Sequence, residues 1–489
     1  MIPEDSALLL HSSHTVDLTS VQARDLLCHT TPTSRKRLGA LQPPYTGTKN
    51  VHERLRDILE PLDTLFPIQE RLDLGPFVHW KGNASSPMHR WLRYREAYSP
   101  ELIDKLGLGE RILDPFSGCG SIPIGAATRN RKALGIDLNP IAAFSSKVKL
   151  HPLNDTQLER VRVFTRKLPK LIETHDRAPL PELSISNKVF EPLILDSVLR
   201  ARTALENVFS NDAEIRDFVF LGWLSILEIV GSYFKEGNGI KYRNKKRQKG
   251  RYEDRLDGEW QLARFGADQR QFYNETLAAQ LNMMLDDACA WRSGTWDKQQ
   301  VVKGTAFELK KIVGRRRFDS IIFSPPYANR FDYFESFKVE LWFGNFVNSY
   351  EELNALRKAS LRSHLGADFA RQSDYLEPLE RLIHVMDRGA SSWRMGVAEL
   401  VRGYFHDLRV VLEQCRDVLP TGGCHVVVGN SAFAGVIIPT DVLTALVGRQ
   451  AGFKKARIIE TRHLTVAPQQ RNQLRGFEKY MRESIVVLE

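Results

Sequence analysis

The sequence predicts an α/β protein: a doubly wound, seven-stranded sheet interrupted by a mainly helical inserted lobe. Three observations predict it. A short apolar strand, Arg111-Ile112-Leu113, runs into a glycine-rich turn and a helix, then into a second strand, Lys132 to Ile136, that stops at Asp137. Strand, loop, helix and strand in that order open a doubly wound sheet. The rhythm is suspended over 151–300, where apolar residues recur at helical spacing, and it resumes near 300. A chain of 489 residues also exceeds one ordinary core, as a sheet carrying a large insertion would.

Taken in order, residues 1–74 read as an irregular arm, punctuated by Pro43, Pro44 and Gly47, and a helix near 51–62. Residues 75–150 hold the first half of the sheet, preceded by a helix beginning near Ser99-Pro100, where serine caps and proline opens the first turn. Residues 151–300 form the helical lobe. Residues 301–489 complete the sheet with strands at Val301-Val302, Phe318 to Phe323, Cys424 to Val428, Arg457 to Glu460 and 483–488. Helical stretches over about 334–390, 397–418 and 440–450 separate them, and the last two strands read as an antiparallel pair.

Composition excludes several classes. Five cysteines with no Cys-x-x-Cys spacing argue against a disulfide framework and against a zinc site, so no metal is expected. The longest apolar stretch, Phe218 to Val230, is too short for a bilayer and contains Glu228. The first residues carry an acidic pair and do not read as a signal peptide. A cytoplasmic protein without a membrane partner is expected. The net charge of +10 fits a polyanionic partner.

The glycine-rich turn reads Asp114-Pro115-Phe116-Ser117-Gly118-Cys119-Gly120-Ser121. Gly118 and Gly120 let the backbone turn tightly and approach a ligand. The helix N-terminus that follows suits a phosphate or a carboxylate. The lysine that grips phosphate in nucleotide-binding loops is missing, since Gly120 is followed by Ser121-Ile122-Pro123. Asp114 is placed to accept a hydrogen bond from an ammonium group, and Asp137 from the two hydroxyls of a ribose. S-adenosylmethionine carries both an amino-acid end and a ribose. A dinucleotide site is the rival, and the Gly-x-Gly-x-x-Gly spacing it needs is absent. The fourth strand ends on Ser324-Pro325-Pro326-Tyr327. Two prolines stop the ladder there, leaving either a plain turn or a rigid lip that holds a polar atom and a ring over a pocket.

These two stretches together resemble the amino-group DNA methyltransferases. Asp114 to Ser121 resembles their D-P-F-x-G-x-G-T/S motif, and Ser324 to Tyr327 their (D/N/S)-P-P-(Y/F) motif. The resemblance spans about 75–150 and 300–489. It implies a Rossmann-like methyltransferase sheet, S-adenosylmethionine as cofactor, and methylation of an exocyclic base amine in double-stranded DNA. The implied cofactor-binding residues are Tyr98, Asp114, Pro115, Phe116, Gly118, Gly120, Ser121, Asp137 and Thr305. The implied catalytic residues are Ser324, Pro325, Pro326 and Tyr327. An exocyclic amine is a weak nucleophile because its lone pair is conjugated into the ring. Fixed acceptors at Ser324 Oγ and the Pro325 carbonyl would draw it toward tetrahedral geometry, and the prolines would keep them rigid. Tyr327 would offer a face to an extruded base. Methylation of a ring carbon would need a Pro-Cys pair, and no cysteine here follows a proline. Serine at the first position resembles the N4-cytosine enzymes; N6-adenine, an RNA base, or an inactive recognition subunit are the alternatives.

Three further features bear on the resemblance. Arg93 to Leu102 resembles the family segment over the methionine end of the cofactor, with Tyr98 packed there and Tyr94 or Arg95 flanking; a helix start with a buried tyrosine is the plain alternative. Gly304-Thr305-Ala306 stands where the family often has Gly-Asp-Ala. The order of cofactor loop, insertion and catalytic loop matches the class whose target-recognition region lies in the middle, which assigns that role to 151–300. The resemblance also implies a restriction-modification or phage-defence context, with a restriction endonuclease or defence proteins as partners.

The sharpest charge cluster lies inside the insertion. Over 241–255, Lys241, Arg243, Lys245, Lys246, Arg247, Lys249, Arg251 and Arg255 outweigh Glu253 and Asp254, a local +6 interleaved with Tyr242 and Tyr252. It suits a loop crossing a phosphate backbone, or a merely solvated basic loop. Past the second motif, Asn329, Arg330 and Asp332 sit where a base or its neighbours could be touched. Asn430 lines the base pocket or caps the next helix.

Overall fold

Strand-forming segments recur along the whole chain, but their partners are far apart in sequence. The computed structural model describes residues 50–489, except 80–82, 84, 95–97, 237–238, 249–250, 255–258, 292, 387–395 and 467. For 245–248, 251–254, 259 and 469 the backbone alone is described. Most of the expected N-terminal arm, Arg95, Lys249 and Arg255, and the side chains of Lys245, Lys246, Arg247 and Arg251, therefore lie outside the described residues.

The strands, in chain order, are β1 (Ile68–Glu70), β2 (Arg111–Asp114), β3 (Lys132–Asp137), β4 (Tyr233–Glu236), β5 (Gly239–Tyr242), β6 (Lys245–Gln248), β7 (Arg251–Asp254), β8 (Gln299–Lys303), β9 (Ser320–Phe323), β10 (Gly423–Gly429), β11 (Ser431–Phe433), β12 (Val436–Ile438), β13 (Ala456–His463) and β14 (Arg482–Leu488). One sheet runs in the order β1-β13-β14-β10-β9-β2-β3-β8. β14 is antiparallel to both of its neighbours, and the other pairs are parallel. The seven expected strands are present, with β13 and β14 as the antiparallel pair. The sheet has an eighth, the edge strand β1, parallel to β13 through Ile68 opposite Ile458. Its three residues, Ile-Gln-Glu, show no apolar alternation, so tertiary pairing rather than local pattern creates the strand.

Both faces of the sheet are covered, which is why its central strands read as unbroken apolar runs. One face presents Leu113, Ile321, Val426 and Val486 to the helices Val397–Val418 and Thr440–Gln450. The other presents Ile112, Ile322, Val427 and Ile485 to a cluster containing Tyr98, Leu102 and Ile103. The helix expected near Ser99-Pro100 is the short Leu102–Lys105.

The insertion is built on the helices Asp155–Thr174, Pro192–Val208, Ala213–Val230 and Gln269–Ala290, packed around Trp223, Tyr273 and Leu281. The basic stretch expected as a loop is instead part of two hairpins, β4–β5 and β6–β7. The strands of the second read Lys-Lys-Arg-Gln and Arg-Tyr-Glu-Asp, so no apolar alternation marks it. The first hairpin is rooted near the second motif: Tyr233 Oη donates to Glu340 Oε1 at 3.1 Å and Lys235 Nζ pairs with the same oxygen at 2.7 Å. Glu340 lies on the helix Lys338–Phe343, which follows Tyr327 in sequence.

Candidate active site

Parallel strands direct their C-terminal ends to one edge of a sheet, and chemistry collects there. Here β2 ends at Asp114, β3 at Asp137 and β9 just before Ser324, all at the same edge. β8, also parallel, ends just before Gly304 and Thr305. Between them opens a cavity of about 750 Å³, part of it continuous with solvent. Its wall includes Tyr94, Pro115, Phe116, Gly118, Asp137, Thr305, Ser324 and Pro326, so residues from both motifs share one space.

The glycine loop is shaped by what it must clear. Gly118 has φ +50°, and a Cβ there would stand 3.0 Å from the ring of Tyr94. Gly120 has φ +87°, and its Cβ would stand 2.9 Å from Ser146 Oγ. Ser146 Oγ donates to the Gly118 carbonyl at 3.0 Å, and the buried Lys149 Nζ to the Cys119 carbonyl at 3.2 Å. Asp137 Oδ2 accepts the Gly118 N–H at 2.7 Å, while its Oδ1 accepts that of Asn139 at 2.8 Å. Burial raises the pKa of the Asp137 carboxyl to about 6, against the opposing pull of those two N–H groups.

Asp114 stands behind the wall rather than in it. Its Oδ2 accepts from Tyr98 Oη at 2.7 Å and its Oδ1 from the Phe116 N–H at 3.0 Å. Burial raises the pKa of this carboxyl to about 7, and the neighbouring charge of Asp137 adds to the rise. Tyr98 is buried and also approaches the Ile322 carbonyl at 3.3 Å. The ring that meets the cavity in this segment is Tyr94, stacked 5.5 Å from Phe337. Gly120, Ser121, Pro325 and Tyr327 likewise support the lining rather than form it.

Thr305 lines the cavity. Its hydroxyl donates to the Ala359 carbonyl at 3.3 Å and accepts the Phe307 N–H at 3.3 Å. Tyr327 turns its hydroxyl away to Glu483 Oε1 at 2.6 Å. Burial and then Glu483 push that phenol well above its ordinary range. Asn329 Oδ1 accepts the Phe331 N–H at 3.0 Å, closing a tight turn. Arg330, with φ +72°, sets its guanidinium 5.8 Å from the Phe433 ring. Asp332 caps the following turn by accepting from Phe334 and Glu335, and pairs with Arg357. Asn430 takes the capping role: it is buried, and its Oδ1 accepts the Asp441 N–H at the start of the helix Thr440–Gln450.

One wall of the cavity had no signal in the sequence. Ser360, Leu361, Ser363 and His364 line it from a turn after the helix Tyr350–Ala359. His364 Nε2 lies 3.0 Å from Ser360 Oγ, and Nδ1 lies 3.4 Å from Asp332 Oδ2. Burial lowers the His364 pKa, opposed by Asp332. The Ser363 hydroxyl and the Asn139 amide nitrogen are both buried without a protein partner, and both residues line the cavity. Nothing local marks 360–364, because small polar residues are common in turns of every kind.

Among the described residues no helix is long and apolar enough to cross a membrane, and no cluster of side chains could hold a metal. No family model matches the sequence. The chain is 26% identical over 456 residues to the Type II methyltransferase M.BsoBI of Geobacillus stearothermophilus, covering 84% of this chain and 87% of that protein. It is 22% identical over 416 residues to the Type II methyltransferase M.AvaI of Nostoc sp. and of Anabaena variabilis, covering 78% of this chain and 82% of each of those proteins. Similarity along most of the length of these methyltransferases, on a sheet that brings both motifs to one cavity, supports the family that the two motifs resemble, the amino-group DNA methyltransferases.

Proposed function

We propose that the protein transfers a methyl group from S-adenosylmethionine to an exocyclic amine of a base in double-stranded DNA, N4 of cytosine, at a specific site and in a restriction-modification setting. The observation that carries this reading is the shared cavity, with Gly118 and Asp137 on one part of its wall and Ser324 and Pro326 on another.

The residues present fit the cofactor. Gly118 leaves no Cβ in the loop, Asp137 offers a carboxylate, and the Asn139 amide and Ser363 hydroxyl, buried without protein partners, suit polar groups of a ligand. When bound, S-adenosylmethionine supplies an electrophilic methyl on a sulfonium. Asp137, Asn139 and Thr305 would hold its ribose and adenine ends, and the glycine loop its amino-acid end. Asp114 would act through the loop, fixing Phe116 and Tyr98. Ser324 Oγ and the Pro325 carbonyl would accept the two N–H bonds of the target amine and orient its lone pair, with the prolines removing backbone freedom. Tyr327 would place the extruded base. The basic stretch carried by the β4–β5 and β6–β7 hairpins would meet the phosphates, and the lobe over 151–300 would read the target.

The test is methylation of mixed-sequence duplex DNA with labelled cofactor, then digestion to nucleosides and mass spectrometry. N4-methylcytosine is expected. N6-methyladenine would overturn the choice of base, and label entering RNA alone would overturn the substrate.

A further inference from the structure

The Ser-Pro-Pro-Tyr loop is tied to the antiparallel part of the sheet through its last residue. Tyr327 Oη donates to Glu483 Oε1 at 2.6 Å, and Arg462 Nε donates to the other oxygen of the same carboxylate. The Tyr327 ring rests on Gly429, where a Cβ would stand 2.9 Å from Cε2. Gly429, Glu483 and Arg462 are register partners across β10, β14 and β13. The pairing of β13 with β14 shifts between Glu460 and Arg462, so a bulge sets where Arg462 meets Glu483.

We propose that Glu483, braced by Arg462, is the positioning residue of Tyr327, fixing the ring angle and so the seat of the target base. This rests on the reading of Ser324 to Tyr327 as the catalytic loop. A phenylalanine would offer the same stacking face, so the hydroxyl serves the tether. Burying a carboxylate is costly unless its oxygens are paired. Glu483 is 3% exposed, and its two oxygens are divided between Arg462 and Tyr327. A cross-strand ion pair alone would leave one of those oxygens unsatisfied. Arg462 is 37% exposed, which keeps the brace at the surface and the tether inside.

The experiment is a double-mutant cycle on the full chain. Steady-state kcat and KM for methyl transfer to unmodified plasmid DNA are measured for wild type, Tyr327→Phe, Glu483→Ala, Glu483→Gln and the Tyr327→Phe/Glu483→Ala double variant, with cofactor affinity by calorimetry. Losing a hydrogen bond to a charged group predicts a fall in kcat/KM for DNA of about tenfold to a hundredfold in each of Tyr327→Phe and Glu483→Ala. The double variant should be no worse than Glu483→Ala, cofactor affinity should hold, and Glu483→Gln, which keeps an acceptor, should recover most of the loss. Multiplying losses in the double variant would overturn the proposal, as would full activity in Tyr327→Phe. If Glu483→Ala is too unstable to assay, Tyr327→Phe and Glu483→Gln decide alone. Full activity in both Ser324→Ala and Tyr327→Ala would instead overturn the reading of the loop, whatever the cycle gives.

Discussion

Replacing Asp114 by asparagine should stabilise the ligand-free protein at neutral and alkaline pH while weakening its hold on the cofactor. The wild-type carboxyl has a pKa of about 7 in the fold against an ordinary 3.8, chiefly because it is buried. Between those values the folded chain keeps a proton that the unfolded chain has lost. Stability from this group is therefore fully present below about pH 4 and is lost as pH rises through about 7. At about 1.4 kcal/mol per pH unit, the gap amounts to about 4 kcal/mol by pH 8. Asparagine fits the same bonds: its Oδ1 can accept the Phe116 N–H, and its amide can donate to the Tyr98 oxygen, whose own proton has the Ile322 carbonyl at 3.3 Å. A bound cofactor of net positive charge would favour the ionised wild-type carboxyl. Denaturant melts at about pH 4 and about pH 8.5 should converge at the acid end and separate at the alkaline end. Calorimetry in two buffers of different ionisation enthalpy should show proton release on binding in the wild type and less in Asp114→Asn. Stability curves that stay parallel across that range would refute the reasoning.

Two other changes probe the lobe. Asp287 accepts from the Met88 N–H, the Arg90 guanidinium and Trp91 Nε1, tying the helix Gln269–Ala290 to the segment that carries Tyr94. Asp287→Ala strands those donors and should cost about 3–5 kcal/mol, read as a lower urea midpoint; an unchanged midpoint would refute it. Replacing Lys241, Arg243, Lys245, Lys246 and Arg247 by glutamine should weaken DNA binding and flatten its salt dependence by about 0.9 in log–log slope for each phosphate no longer neutralised. A binding isotherm with unchanged slope would move the DNA to another face.

How much could be read from sequence depended on how local the cause was. The two loops were legible because their chemistry is written in adjacent residues: Gly118 and Gly120 adopt positive φ, and Pro325 and Pro326 must end a strand. The central strands were legible as apolar runs. β1 was not, since Ile68 finds Ile458 only in the folded sheet. Glu483 was invisible for the same reason, standing 156 residues from the tyrosine it holds. The basic stretch was read by charge, which is independent of conformation; its hairpins were missed because β6 and β7 are almost wholly polar and β4 and β5 are only four residues long. Tyr98 and Asp114 were read as cofactor contacts from their place in the chain, whereas both are buried and neither lines the cavity; a sequence gives order along the chain and not depth from a surface.

The position of β14 has a consequence for how the chain is made. It lies between β10 and β13 yet follows both in the chain, so the sheet stays split until β14 leaves the ribosome and slides into the gap. Until then β1, synthesised long before, waits beside a β13 that is not yet joined to the rest, and the apolar edge of β10 is bare. Pairings of such long span are slow to form, and open edges invite association with other chains. The nascent protein therefore carries an unpaired β10 edge until β14 is in place.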